Sequence, residues 1–88
     1  MVVIDWEGLL KYIRQNGIQR ARLERMFTGE NSSLLRALIK NNIRTVADLL
    51  ALTRQDMLMK VGFSLRRTNR LEEIKGQLRH HLVRAKLR

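Results

Sequence analysis

Apolar residues recur at three- and four-residue spacing along nearly the whole chain, and strand-like alternation of apolar and polar residues is missing. Proline is absent, and glycine together with Asn, Ser and Thr separates the periodic stretches. This pattern predicts an all-α fold: a compact domain of five to six helices that ends in a long C-terminal helix. The 88 residues are predicted to form a single domain, 1–88.

The N-terminal part, residues 5–30, is predicted to be an accessory helical hairpin. Its first helix should begin at Asp5, whose carboxylate can cap the amides of the first turn, and end at Gly17. Trp6 is expected to be buried on the inner face of this helix. A second helix is predicted over residues 19–27. Its inward side chains should be Leu23, Met26 and Phe27.

The rest of the fold, residues 32–82, is predicted to contain the remaining helices. The polar residues 31–33 indicate the N-cap of a third helix. The segment Thr45–Asp48 has the form of a capping box with Asp in place of Glu, and it predicts the start of a short helix. Thr53–Asp56 repeats the signal and predicts a second short helix directly afterwards.

The final helix is predicted to follow a turn at Gly62. Gly76 lies inside this helix, where we expect it to permit close packing against a neighbour. The apolar stripe of the helix consists of Leu71, Ile74, Leu78 and Leu82.

The chain is strongly basic, and this charge bears on its function rather than on its fold. Eighteen Lys and Arg residues stand against eight Asp and Glu residues, so the formal net charge is +10 at pH 7. A positive charge of this size on a small chain predicts a polyanionic partner, because nucleic acids attract basic surfaces through their phosphates.

Other residue types argue against several classes of function. Cysteine is absent, and the only histidines, His80 and His81, are neighbours that point about 100° apart on a helix, so they do not form a metal pair. The acidic residues are explained by helix caps and ion pairs. We therefore expect no enzymatic activity, no metal or other cofactor, no small-molecule substrate and no membrane association. The expected location is intracellular: cytoplasm or nucleoid, or the nucleus in a eukaryote.

A central stretch of core and capping residues resembles a known family. Residues 42–53, Asn-Ile-Arg-Thr-Val-Ala-Asp-Leu-Leu-Ala-Leu-Thr, and the apolar spacing of residues 34–78 resemble the C-terminal domain of the bacterial RNA polymerase alpha subunit. The pattern is also similar to the helix-hairpin-helix domains of repair and recombination proteins, which share a SAM-like fold. This resemblance implies that residues 32–82 form a helix-hairpin-helix-like unit that binds DNA.

Such a domain holds a phosphate with the free amides of a turn and of the following helix N-terminus, where the helix dipole favours negative charge. The resemblance places this turn at residues 62–64, although the usual Gly-x-Gly is Gly-Phe-Ser here. The contacts implied at this end are Gly62, Ser64, Arg66, Arg67, Thr68 and Arg70.

The polymerase domain makes a second contact from the helix that corresponds to the predicted third helix. Ser33 stands where that family has an arginine, and Arg36 stands where it has an asparagine. Arg36 and Lys40 are four residues apart, so they share the outer face of this helix. Ser33, Arg36 and Lys40 complete the predicted nucleic-acid-binding set.

Duplex DNA is the predicted partner, gripped mainly through phosphates, with limited sequence reading because the contacts lie at helix ends. A protein-interaction module is one alternative, since Trp6, residues 49–53 and the Gly62–Phe63 turn also resemble sterile alpha motif domains. The interval from Ile43 to Leu52 is one residue longer than in that family and favours the polymerase-like interpretation. A module that binds structured RNA is the other alternative.

Overall fold

The computed structural model describes residues 4–27 and 32–86. Its elements in chain order are α1 (Trp6–Asn16), one turn of 3-10 helix (Leu23–Arg25), α2 (Ser32–Lys40), α3 (Val46–Ala51), a π-helical segment (Asp56–Lys60) and α4 (Leu65–Arg84). Within the described residues no β-strand forms, and the backbone makes one isolated bridge, between Arg22 and Thr45. The all-α fold class and the long C-terminal helix are confirmed.

The predicted caps fix where α1 and α3 begin. The Asp5 carboxylate accepts a hydrogen bond from the Gly8 amide at 3.1 Å, and α1 ends at Gly17, which has a φ of 79°. At α3, the Thr45 hydroxyl accepts from the Asp48 amide at 3.1 Å while the Asp48 carboxylate accepts from the Thr45 amide at 3.2 Å. This reciprocal pair is a capping box, as the sequence predicted.

The segment after α1 does not form the helix predicted over residues 19–27. Its backbone instead pairs with the start of α3: the Ala21 carbonyl accepts from the Val46 amide at 2.8 Å, and the Ile18 carbonyl accepts from the Ala47 amide at 2.9 Å. A helix here would turn these carbonyls onto its own amides. The prediction is wrong because bonds to a distant segment override local helix propensity.

The side chains of that segment nevertheless take their expected places. Leu23, Met26 and Phe27 are all buried in the core, although only a single 3-10 turn surrounds Leu23. The predicted N-cap residue Asn31 lies outside the described residues.

Thr53 and Asp56 form a second reciprocal pair, with the Asp56 amide 3.0 Å from the Thr53 hydroxyl and the Thr53 amide 3.5 Å from the Asp56 carboxylate. The predicted short helix after them is corrected to a π-helical segment, in which the Val61 amide donates to the Asp56 carbonyl at 3.0 Å. Gly62, with a φ of 76°, then turns the chain towards α4.

One hydrophobic cluster joins all of these elements, and the Cα radius of gyration is 12.3 Å. A compact domain of this length is expected to have about 12 Å. The cluster receives from α4 the predicted residues Leu71, Ile74, Leu78 and Leu82. Within the described ranges, no helix combines the length and the apolar character needed to cross a membrane.

Two details of the predicted packing are wrong. Trp6 is only partly buried, because it starts α1 at the edge of the core, where its ring stacks on His81 with centroids 4.5 Å apart. Gly76 lies on the exposed side of α4, and a Cβ built there meets no atom within 4 Å. It therefore permits no close packing against any residue that the structure describes.

Helix α4 also closes the C-terminal end of α3. The Lys75 ammonium is buried, with a residue exposure of 3%; it donates to the Leu52 carbonyl and lies 3.4 Å from the Glu72 carboxylate. The Arg79 guanidinium donates to the Leu50 carbonyl at 3.2 Å. These two cations satisfy carbonyls that a helix end leaves open, so part of the positive charge serves the fold.

Candidate nucleic-acid interface

The start of α2 and the first turns of α4 meet along an open groove of about 550 Å³. Packing brings the two together although roughly 30 residues separate them in the chain. The groove is lined by Ser33, Leu34, Ser64, Arg66, Arg67, Asn69, Arg70 and Glu73. Its wall thus carries three guanidinium groups and two hydroxyls, groups that donate hydrogen bonds to phosphate oxygens.

The backbone at the start of α4 adds donors beside these side chains. Ser64 is the N-cap, and its hydroxyl accepts from the Arg67 amide at 3.2 Å. No acceptor within residues 4–27 and 32–86 pairs with the amides of Leu65 or Arg66. First-turn amides point out of a helix along its axis, and the dipole makes this end favourable for an anion.

The arginines of the groove differ in how firmly they are held. The Arg67 guanidinium lies over the Phe63 ring, 5.5 Å from the centroid, within the range of a cation–π contact. Arg70 Nη1 lies 3.7 Å from Glu73 Oε2, with side-chain exposures of 41% and 59%. Arg66 is exposed and makes no ion pair with any described residue. Of the three groove arginines, Arg66 is therefore the one whose guanidinium has no ion-pair or aromatic partner among the described residues.

The groove brings together a subset of the contact residues expected from the sequence. That subset is Ser33, Ser64, Arg66, Arg67 and Arg70. Gly62 lies in the exposed turn that precedes the groove but does not line it. Arg36 and Lys40 are exposed on α2 and lie outside the groove lining. The two predicted contact regions thus meet through Ser33 rather than through the basic residues of α2.

Thr68 must be removed from the predicted contacts. Its residue exposure is 0%, and its hydroxyl is buried with no hydrogen-bond partner among the described residues. Thr68 lies three residues before Leu71, so it belongs to the inner stripe of α4. A phosphate bound at the surface has no access to it.

Two groove residues, Asn69 and Glu73, were missed in the sequence. A signal for them was present, because they lie three and seven residues after Arg66 and so share its face of the helix. The contacts predicted near the turn were glycine, hydroxyl and arginine residues, so this amide and this carboxylate were left out. The structure adds an amide and a carboxylate to the same wall of the groove.

Comparison of the chain with protein-family models, curated proteins and solved structures found no match. The resemblances to the polymerase domain, to helix-hairpin-helix domains and to sterile alpha motif domains therefore stay predictions.

Proposed function

We propose that this chain is a small DNA-binding domain that holds the phosphate backbone of duplex DNA in the groove between α2 and α4. The observation that supports this proposal is the convergence of Arg66, Arg67 and Arg70 with the hydroxyls of Ser33 and Ser64 at the start of α4. A phosphate accepts hydrogen bonds on every non-bridging oxygen, so a cluster of donors matches it.

The charge of the whole chain supports the same partner. A net charge of +10 draws a polyanion towards the surface, and arginines outnumber lysines among the basic residues. Guanidinium groups bind phosphate through two parallel hydrogen bonds, which a lysine ammonium cannot do. The proposed role is binding without catalysis, in an intracellular compartment that contains DNA.

The first test compares partners. The protein is titrated with a short duplex DNA, a single strand and a hairpin RNA, each at two salt concentrations, and its mass in solution is measured alone. We expect the duplex to bind most tightly and its affinity to fall steeply with salt. Large assemblies that ignore all three nucleic acids would instead indicate a protein-interaction module, and tightest binding to the hairpin would indicate an RNA module.

The second test locates the binding energy. Replacing Arg66 and Arg67 together by alanine should lower duplex affinity and flatten the logarithmic salt slope by about 0.9 for each phosphate that the variant no longer neutralises. The free energy of unfolding should change by less than about 0.5 kcal/mol, because relief from the helix dipole offsets the removal of the cation–π interaction with Phe63.

The matched control replaces Arg14 and Arg20, which are equally basic, exposed and outside the groove. If this pair lowers affinity as much as Arg66 and Arg67 do, then binding follows net charge and the groove is not the site.

A further inference from the structure

The outer face of α4 carries an exposed polar stripe that begins in the groove, at Asn69 and Glu73, and continues beyond it. Buried residues of α4 occupy the opposite side, from Thr68 to Leu82. At about 100° per residue, seven exposed positions fall within an arc of roughly 100°. These positions are Arg66, Asn69, Glu73, Gly76, Gln77, His80 and Arg84. Nothing in the described chain covers this stripe, so it is open to a partner.

Gly76 stands in the middle of this stripe without a reason inside the fold. Glycine destabilises a helix interior relative to alanine. A turn or a tight contact would explain it, yet Gly76 lies within the regular helix and a Cβ there meets no atom of residues 4–27 and 32–86 within 4 Å. The open space beside Gly76 allows another molecule to approach the helix backbone closely, which is one use of a glycine. The open space at Gly76 thus indicates contact with a partner molecule.

The side chains around Gly76 are those that read base edges. Asn and Gln pair with adenine, and a carboxylate accepts from the amino group of cytosine. Glu73 also lines the groove, where its carboxylate pairs with Arg70. Its pair with Arg70 is exposed, and such pairs are weak enough to open on binding. The stripe therefore shares Asn69 and Glu73 with the groove and adds Gly76 and Gln77 beyond it.

We propose that the exposed stripe from Asn69 to Gln77 lies in the major groove of duplex DNA and reads base edges, with Gly76 at the point of closest approach. The proposal rests on the proposed function, since the phosphate held at Arg66 sets the helix against the duplex. Asn69 follows Arg66 by three residues, about 4.5 Å along the axis. The major groove of B-DNA admits an α-helix, whereas that of A-form RNA is too narrow.

The test begins with selection of bound sequences from a pool of randomised duplex DNA. We expect one sequence to be enriched and Asn69→Ala and Gln77→Ala each to relax the preference at one position. Gly76→Ala should raise the urea midpoint of unfolding yet weaken the selected duplex by roughly tenfold, the scale of one mismatched base pair, and Gly76→Leu should weaken it further. Gln15→Leu, on the exposed side of α1, is the matched control and should leave affinity unchanged.

Two results would overturn the base-reading proposal while leaving the phosphate site intact. Either no sequence is enriched, or both Gly76 variants bind the selected duplex like the wild type, while the Arg66 and Arg67 double variant still loses affinity. If the double variant weakens all duplexes by the same factor and the Gly76 variants weaken only the selected one, both proposals are supported. If no duplex binds at all, the proposed function fails and the base-reading proposal fails with it.

Discussion

Helices α3 and α4 begin with the same kind of cap, yet the fold treats their remaining amides differently. At α3, the amides of Val46 and Ala47 donate to carbonyls of the segment after α1, and the third amide donates to the Thr45 hydroxyl. At α4, Ser64 caps the Arg67 amide, and no described residue accepts from Leu65 or Arg66. The first-turn amides of α3 are therefore all bonded within the chain, whereas no described residue accepts from the first two amides of α4.

The difference shows why a cap signal in sequence does not by itself indicate an anion site. Every helix start has the dipole and the orphan amides. Only a start whose amides are unused and accessible can offer them to a ligand. Three arginines gather around the open start at α4, whereas α3 is also closed at its other end by Lys75 and Arg79. The structure thus separates cations that stabilise the fold from cations available to a partner.

The largest effect should come from breaking the closed end of α3. Lys75→Ala leaves the Leu52 carbonyl buried without its donor, and we expect the free energy of unfolding to fall by about 2 kcal/mol. Urea unfolding followed by Trp6 fluorescence measures this loss. Lys75→Met keeps the apolar stem and removes only the ammonium, so it should also be destabilised. Wild-type stability in Lys75→Met would show that the carbonyl does not depend on this bond.

Local signals predicted the parts of the fold that depend on neighbours in sequence. Asp5, Gly17, the Thr45 box and the turn at Gly62 stand where the sequence placed them, because caps and positive-φ glycines act over a few residues. The helix over residues 19–27 failed because the Ala21 carbonyl bonds to the Val46 amide of α3, a partner that no local pattern contains. Backbone hydrogen bonds to α3 therefore determine the conformation of this segment, and local helix propensity does not.

The candidate site was predictable to a similar degree. The basic cluster after Gly62 could be read from the sequence, but its meeting with Ser33 depends on how α2 packs against α4. Thr68 and Lys75 were readable in principle, since both fall on the apolar stripe that runs through Leu71. Thr68 was predicted as a contact from its residue type, but its position on the stripe determines its burial.

An effect of intermediate size should distinguish the N-cap of α3, Thr45, from the N-cap of α4, Ser64. Thr45→Ala and Ser64→Ala each remove an N-cap hydroxyl, and each should cost about 1 kcal/mol of unfolding free energy in urea titrations. Only Ser64→Ala should also lower affinity for duplex DNA, because Ser64 lines the groove and Thr45 does not. A loss of affinity in Thr45→Ala equal to that in Ser64→Ala would mean that binding reports general stability rather than the open helix start.

The smallest effect concerns the third helical start, at Thr53 and Asp56, and it depends on pH. Hydrogen bonding from the Thr53 side chain, then from its amide, lowers the pKa of Asp56, and Lys60 Nζ at 3.6 Å contributes less. Because the folded pKa lies below the unfolded value, the carboxylate stabilises the fold above about pH 4 and this contribution is lost as pH falls through the folded pKa. The difference in unfolding free energy between wild type and Asp56→Asn should therefore shrink from about pH 6 to about pH 3 in urea titrations. Lys60→Ala leaves the Thr53 bonds in place, so most of that difference should persist in its background. A difference that stays constant over the same range would show that the charge of Asp56 does not stabilise this start.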